Sequence, residues 1–380
     1  MRRALAAMVA ILPAALPAAA PADDVVAQVT RATPVNAFGG RLAWSEYDAA
    51  LGRFRLTTRS AGIVAAVPVR TRAVPFDVDL GPDGAGGVVA VYSRCRREPG
   101  RQRLGNALVA HPGWSTGRGC RLWRFDFSTG RESRIEGTAA RDASEFAPAI
   151  WKDRVAFARR YPRRPALAGD RPLLFVKRLS ADARARRLPG GPHSRYRVCI
   201  GGNCHRERFV AEPGPTAMDL RGWNLAVAWD SGSEVGPTSS LLLETIGRRV
   251  ARRRLQRVES GSLQGSELVT PALDGSALYW GSITFGDSTG SELRRFALPG
   301  GPAEAAALPA ASQADEWIRP VLGVAVDGGA VAYLISGAPA QPEPGCTPRQ
   351  RCVVDPGCAP DRPCEIRLAR DLAFTRARGG

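Results

Sequence analysis

The chain has 380 residues, a formal net charge of +17, eight cysteines and 44% apolar residues. Of its 53 basic residues only Lys152 and Lys177 are lysine, and abundant Ala, Gly and Pro accompany the arginines, as in GC-rich coding sequence. The basic residues are scattered, without basic runs interleaved with stacking aromatics. That disfavours nucleic acid and leaves a solvated basic surface, or an anionic partner such as acidic polysaccharide or lipid headgroups, as the readings of the charge.

Arg2-Arg3 followed by an apolar run over residues 4–20 has the layout of an export signal, and Ala20-Pro21-Ala22 ahead of Asp23 forms an A-x-A cleavage site. Residues 1–22 are therefore expected to be a signal peptide. Its removal takes away Arg2 and Arg3 and lowers the charge from +17 to +15. The run is short and broken by Pro13 and Pro17, which ranks a membrane anchor below export, and no other stretch is apolar enough to cross a bilayer.

The remaining residues, 23–380, show a recurring pattern. A short apolar strand with a small or aromatic centre appears as Leu42-Ala43-Trp44, Val89-Ala90-Val91, Val155-Ala156-Phe157, Val227-Ala228-Trp229, Leu278-Tyr279-Trp280 and Val331-Ala332-Tyr333. Ahead of each comes a turn signal: Gly39-Gly40, Asp83-Gly84, Lys152-Asp153, Arg221-Gly222, Asp274-Gly275 and Gly328-Gly329. With Ala43, Ala90, Ala156, Ala228, Tyr279 and Ala332 as equivalents, the intervals are 47, 66, 72, 51 and 53 residues, one four-stranded blade apiece with insertions in the longer ones. The expected fold is all-β: a single β-propeller of six, or at most seven, four-stranded antiparallel blades.

In chain order, the first blade takes strands at 41–47, 54–58 and 63–69. The second takes 76–84, 88–93 and 120–130, where Trp123, Phe125 and Phe127 share a face that packs between blades. The third runs from 146 to 192 and the fourth from 216 to 258, with an extra hairpin at 199–210 between them. Arg248, Arg249, Arg252, Arg253, Arg254 and Arg257 alternate with apolar residues there, as on an outer strand with one wet face. The fifth covers 269–302. The sixth takes 318–375, with residues 25–29 completing it from the N-terminus and leaving no free sheet edge in the ring.

The cysteines are local in their placement. Cys95 and Cys120 flank one long connection, Cys199 and Cys204 flank a small hairpin, and Cys346, Cys352, Cys358 and Cys364 share a cysteine-rich insertion at 337–364. An even count behind an export signal is expected to form disulfides, with pairing among the last four either nested or sequential. Their regular spacing does not suit a zinc site, and neither metal nor cofactor is expected.

Gly81-Pro82-Asp83-Gly84 followed by Val89-Ala90-Val91-Tyr92-Ser93, and then Leu122-Trp123-Arg124-Phe125-Asp126-Phe127-Ser128-Thr129-Gly130, resembles the repeat of TolB-type, WD40-like β-propellers. The resemblance implies an envelope or secreted protein that binds other proteins or ligands. There is no room for the helical N-terminal domain of TolB.

Catalytic signatures are sparse. His111, His193 and His205 are the only histidines, and the chain carries no phosphate loop or dinucleotide fingerprint. One constellation stands out: Glu145 ahead of Pro148, Glu267 ahead of Pro271 and Glu316 ahead of Pro320, with Asp77 in a comparable place. On loops entering the inner strands these acids would form a rim at the channel mouth, holding a cation or a basic group; otherwise they pair with neighbouring arginines. The function expected from all this is an exported, monomeric, non-enzymatic scaffold, secreted or in the cell envelope, that binds a protein or small ligand at a propeller face. The alternatives are a polysaccharide lyase or hydrolase working at the channel mouth, and polyanion binding by the basic surface.

Overall fold

The computed structural model describes residues 23–98, 117–138, 143–161, 172–180, 183–189, 195–200, 203–208, 214–233, 236–259, 265–285, 290–298, 300–308, 319–337 and 358–376. These residues contain no helix and form six antiparallel blades in a ring. Strand β1 (Asp23–Val29) precedes blade 1, which consists of β2 (Val35–Phe38), β3 (Arg41–Asp48), β4 (Arg53–Ser60) and β5 (Ile63–Ala66). Blade 2 is β6 (Asp79–Pro82), β7 (Val88–Arg94), β8 (Arg121–Asp126) and β9 (Arg131–Arg134). Blade 3 is β10 (Ser144–Trp151), β11 (Arg154–Arg160), β12 (Leu173–Arg178) and β13 (Arg186–Arg187). A separate hairpin, β14 (Arg195–Ile200) with β15 (Asn203–Arg208), precedes blade 4, which is β16 (Gly214–Arg221), β17 (Asn224–Ser233), β18 (Gly236–Ile246) and β19 (Val250–Glu259).

Blade 5 has its inner strand in two pieces, β20 (Gly265–Leu268) and β21 (Ala272–Asp274), both paired with β22 (Ala277–Phe285), followed by β23 (Gly290–Ala297) and β24 (Ala303–Ala307). The break falls at Pro271, which has no N–H to give to a ladder. Blade 6 is β25 (Val321–Asp327), β26 (Ala330–Ile335) and β27 (Cys364–Ala369), and its outer strand is β1. The N-terminal strand thus closes the ring, as the sequence leads one to expect.

A second closure was not legible. The last strand, β28 (Thr375–Arg376), does not belong to blade 6 but pairs with the outer edge of β24 in blade 5. Between β27 and β28 the chain crosses the seam, and Leu372 and Phe374 pack into it; Phe374 meets the Tyr279 ring edge-on at 6.0 Å. Two apolar side chains, Leu372 and Phe374, leave no periodic trace from which to assign them.

Each seam between blades holds its own buried cluster. Ala43 and Leu56 meet Phe76, Tyr92 and Phe125 between blades 1 and 2, with Trp123 and Phe127 packed against them. Trp229 fills the seam between blades 3 and 4, Trp280 that between 4 and 5, and Trp44 that between 6 and 1. The second strand of each blade is therefore buried on both faces over its apolar stretch, which is why these segments read as short apolar runs; each tryptophan removes ~150–250 Å2 from water.

The register corrects one equivalence. Counted from the hairpin, Ala43, Ala90, Ala156, Tyr279 and Ala332 are the third residues of their strands' ladders, and in blade 4 that place belongs to Ala226, opposite Asp219, not to Ala228. Alanines two apart lie on the same face of a strand, so the pattern alone does not separate them. The corrected interval from Ala226 to Tyr279 is 53 residues, equal to that from Tyr279 to Ala332.

The turns follow local rules. Asp83 Oδ1 accepts from Ala85 N and Gly87 N, at 2.9 and 2.7 Å, and shapes the turn after Pro82. Asp126 Oδ1 accepts from Ser128 N at 2.8 Å and from Thr129 N at 3.2 Å, and Gly130 follows with a φ of 65°. The inner strand of each blade runs toward its hairpin with the next strand, so these hairpins gather at one end of the ring. The long connections join strand ends at the other. Cys95–Cys120 ties the end of β7 to the start of β8 there, and Cys358–Cys364, a sequential pair, lies at the start of β27. Cys199 and Cys204 are register partners across β14 and β15, while Cys346 and Cys352 lie outside the described residues.

Candidate functional site

The inner strands surround a central channel whose polar groups fall in three layers. At the insertion end stands Asp77, 3% exposed, just ahead of β6. Its Oδ1 accepts from Arg72 Nη1 at 2.7 Å and Ser93 N at 2.9 Å; its Oδ2 accepts from Ser93 Oγ at 2.6 Å and from Ala147 N of blade 3 at 2.8 Å. Arg72 is itself buried, lies over the Phe76 ring and has Glu98 3.9 Å from its Nε. Glu145 is fully buried, and its Oε1 accepts from Arg159 Nη2 at 3.0 Å and Nε at 3.2 Å. Burial pushes the Glu145 carboxyl up from its ordinary pKa, against the pull of Thr138 and Arg159.

Of the four acids expected at a channel rim, Asp77 and Glu145 are thus placed side by side around the start of β10, both paired with arginine. Glu145 lies inside a strand, opposite Arg159, and Glu267 lies inside β20, opposite Ile283. The expectation of loop positions rested on the prolines as strand starts. In β10 the ladder shifts register between Phe146 and Ala149, around Pro148, so pairing resumes upstream of the proline. Glu316 lies outside the described residues, as do His111 and His193.

The middle layer was missed by sequence reasoning. Asn36 Oδ1 of blade 1 accepts from Leu80 N of blade 2 at 2.9 Å, and Asp79 Oδ2 of blade 2 accepts from Ile150 N of blade 3 at 2.6 Å. Asp219 of blade 4 accepts from Leu273 N of blade 5, and Thr270 Oγ1 of blade 5 accepts from Val324 N of blade 6 at 2.9 Å. In each of these pairs one blade hands a side-chain acceptor to the inner backbone of the next. Asn36 Nδ2 also donates to Asp79 Oδ1 at 2.7 Å. Burial raises the Asp79 pKa well above the carboxylate range, with repulsion from Asp219 adding to it; blades 2 and 4 are not neighbours, so that repulsion acts across the channel. Burial likewise pushes Asp219 up to about 6, against its bond from Leu273 N and the nearby Arg221. The available signal was a polar residue opposite the small residue of the second strand: Asn36 opposite Ala43, Asp219 opposite Ala226.

The hairpin end is crossed by a circuit of contacts. Phe38 of blade 1 meets Trp151 of blade 3 edge to face at 5.7 Å, and the Arg221 guanidinium of blade 4 stands 5.1 Å from the Trp151 ring. Arg221 Nη1 donates to Asp274 Oδ1 of blade 5 at 2.7 Å, and Asp274 Oδ2 accepts from Gly329 N of blade 6 at 2.8 Å. In the same turn of blade 6, Asp327 Oδ2 accepts from Gly40 N of blade 1 at 2.6 Å, completing the circuit. Blade 2 joins through Lys152 N, which donates to Pro82 O at 2.8 Å.

The arginine-rich stretch of blade 4 is the outer strand β19, as expected. Arg252 pairs with the buried Glu244, Arg253 lies 4.8 Å from the Phe296 ring, and Arg254 is exposed. Among the described residues no group of three His, Cys, Asp or Glu is arranged to hold a metal ion, and no helix is long and apolar enough to cross a membrane.

No family model matches the chain, and no curated protein matches it. Solved structures do. TolB from Acinetobacter baumannii, the family that the repeat resembles, is 9% identical with a TM-score of 0.38, over 70% of this chain and 52% of that one. A puromycin-hydrolyzing peptidase of Mycobacterium tuberculosis is 13% identical with a TM-score of 0.43, over 87% of this chain and 54% of that one. The β-propeller domain of the Trilobed protease from Pyrococcus furiosus is 11% identical with a TM-score of 0.41, over 90% and 78%. The chain spans about half the length of the TolB and peptidase structures. At such identities the likeness concerns the propeller fold alone.

Proposed function

We propose that this propeller is an exported, non-enzymatic binding scaffold that meets a protein or ligand partner with its insertion end. The observation that carries this reading is the use made of the channel acids: Asp77, Asp79, Glu145 and Asp219 are each engaged by an arginine or by a backbone N–H of the following blade. Carboxylates that hold strands or blades together serve architecture, and general acid–base work needs a group with a free face toward substrate. Both described disulfides sit at one end of the ring, where loops on a rigid frame offer a variable surface.

Residues 1–22 act in this reading as a signal peptide, leaving a mature chain of 23–380 outside the cytoplasm, secreted or in the envelope. Disulfides persist in such oxidising compartments, which supports the assignment.

The test is a cross-linked pull-down from native envelope and culture fluid with the oxidised protein as bait, washed at low and at high salt. The expected result is a protein partner that survives high salt, binds again when purified, and is lost when residues 195–208 are replaced by a Gly-Ser linker. Partners lost with salt would point instead to polyanion attraction by the arginine surface. Turnover of any member of a polysaccharide panel by the purified protein would overturn the non-enzymatic reading.

A further inference from the structure

At the opposite end of the ring, in the seam where blade 6 meets blade 1, a cleft of about 250 Å3 opens between the β4–β5 turn, the β25–β26 turn and the end of β27. Its apolar walls include Leu42, Ala330 and Leu368, and its charged groups are Arg59, Arg370 and Asp327, with Arg41 at the border. These charges are not equivalent. Arg41 Nη1 reaches Thr58 Oγ1 at 3.4 Å, and its guanidinium lies 4.0 Å from the Phe127 ring of blade 2, on the far side of the strand from blade 6. Asp327 is committed to Gly40 N. Arg59 is half-buried, opposite Leu42 in the ladder, and its guanidinium meets no acceptor among the described residues. Arg370 likewise has none and is exposed.

Arg59 thus has its hydrogen-bonding capacity to spare, whereas Arg72, Arg159, Arg252, Arg295 and Arg367 each find a carboxylate. The geometry points to this cleft as a binding site for a small monocarboxylate with an apolar body. Its carboxylate is held by the forked guanidinium of Arg59 with Arg370 behind it, and its body lies against Leu42 and Leu368. The volume is below the ~300 Å3 at which drug-sized pockets begin, which limits the occupant to a molecule smaller than a drug, of roughly ten heavy atoms. Asp327 in the wall selects against a dianion, and the apolar walls select against bare phosphate. The same chemistry is offered by a free branched-chain acid or by the C-terminus of a peptide ending in an apolar residue. Because Arg59 belongs to blade 1 and Arg370 follows the last strand of blade 6, the ligand would also staple the seam at which the ring closes. The site goes beyond the scaffold reading, since it lies at the other end of the molecule and stands or falls without it.

The experiment titrates the purified protein with 4-methylpentanoate, its amide, and inorganic phosphate, following heat of binding and the shift in thermal midpoint. The carboxylate is expected to bind and to raise the midpoint, and the amide and phosphate are not. Arg59→Gln should weaken the carboxylate at least about tenfold, Arg59→Lys less, and Arg254→Gln on the outer strand of blade 4 should leave it unchanged; unliganded thermal midpoints show whether each variant is folded. A tripeptide ending in leucine with a free carboxylate is the second arm. Tighter binding than 4-methylpentanoate, abolished by C-terminal amidation, assigns the site to a chain terminus, and weaker binding assigns it to a free acid. Equal binding of the amide, full affinity in a folded Arg59→Gln, or no binding of either carboxylate would each overturn the proposal.

Discussion

Phe38 and Trp151 stand on blades 1 and 3, which are not neighbours in the ring, yet their rings meet edge to face at 5.7 Å. The contact spans the hairpin end of the channel. It is continued by Arg221 over Trp151 and by the Arg221–Asp274 ion pair, so an aromatic pair and a charged pair together cross that end. Edge-to-face pairs contribute ~0.5–1.5 kcal/mol beyond the area they bury. A double-mutant cycle of Phe38→Leu and Trp151→Leu, read by urea unfolding, should show a coupling energy of about that size. Independent effects of the two changes would mean that the rings touch without supporting one another.

This pair illustrates where sequence reading stopped. Features made by neighbours in the chain were legible: the Asp83 and Asp126 turns, the glycine-bearing hairpins, and the apolar second strands with Trp44, Trp229 and Trp280 inside them. Closure by β1 was legible because an unpaired edge demands a partner. Contacts made by residues far apart were not. Asp79 and Ile150 are 71 positions apart, and nothing near Asp79 in the chain announces that its carboxylate will hold the next blade. Glu145 was singled out on the strength of a nearby proline, but what decides its environment is Arg159 across the ladder. The arginines themselves were read as a scattered surface, whereas Arg72 and Arg159 are interior groups.

The ring is closed at Asp23. Arg367 Nη2 donates to Asp23 Oδ1 at 2.8 Å and its Nε to Oδ2 at 3.0 Å, and the Tyr333 hydroxyl donates to the same carboxylate. This fork holds the first residue of β1 against β26 and β27, and it accounts for the upward shift of the Arg367 pKa. Asp23→Ala should destabilise the protein by about 1–3 kcal/mol, as loss of a charge-assisted pair does, and should speed hydrogen exchange in β1 and β27 before other strands. Uniform exchange across all six blades would sink the idea that closure is local.

Outer strands are blunted in most blades: β9, β13 and β19 carry arginines, β24 is covered by β28, and β1 opens with Asp23-Asp24. Strand β5 is not. All four of its residues are exposed, with Ile63 at 73% and Val64 at 48%. An apolar, uncharged edge is a template for strand addition by another chain. Val64→Lys should therefore slow aggregation at high protein concentration, read by light scattering, while changing stability by no more than ~0.5 kcal/mol. Unchanged scattering would show that this edge does not lead association.

Asp219 gives the channel a pH dependence of definite sign. Its pKa rises from 3.8 to about 6 on folding, through burial. Between those values the folded protein binds more protons than the unfolded chain, so this group makes stability fall as pH rises through the window and leaves it level above and below. The upper bound for the change is ~3 kcal/mol, at about 1.4 kcal/mol per pKa unit. Asp79, raised by burial and by Asp219 itself, acts in the same direction. In Asp219→Asn the amide oxygen can still accept from Leu273 N, so the inter-blade bond survives and the titration does not. Urea midpoints measured from pH 4 to pH 8 should decline for the parent protein and decline less steeply for the variant, the two curves converging at the acid end. Parallel curves would mean that Asp219 ionises as freely in the folded channel as in the unfolded chain, and that its burial in the ring is not felt by its proton.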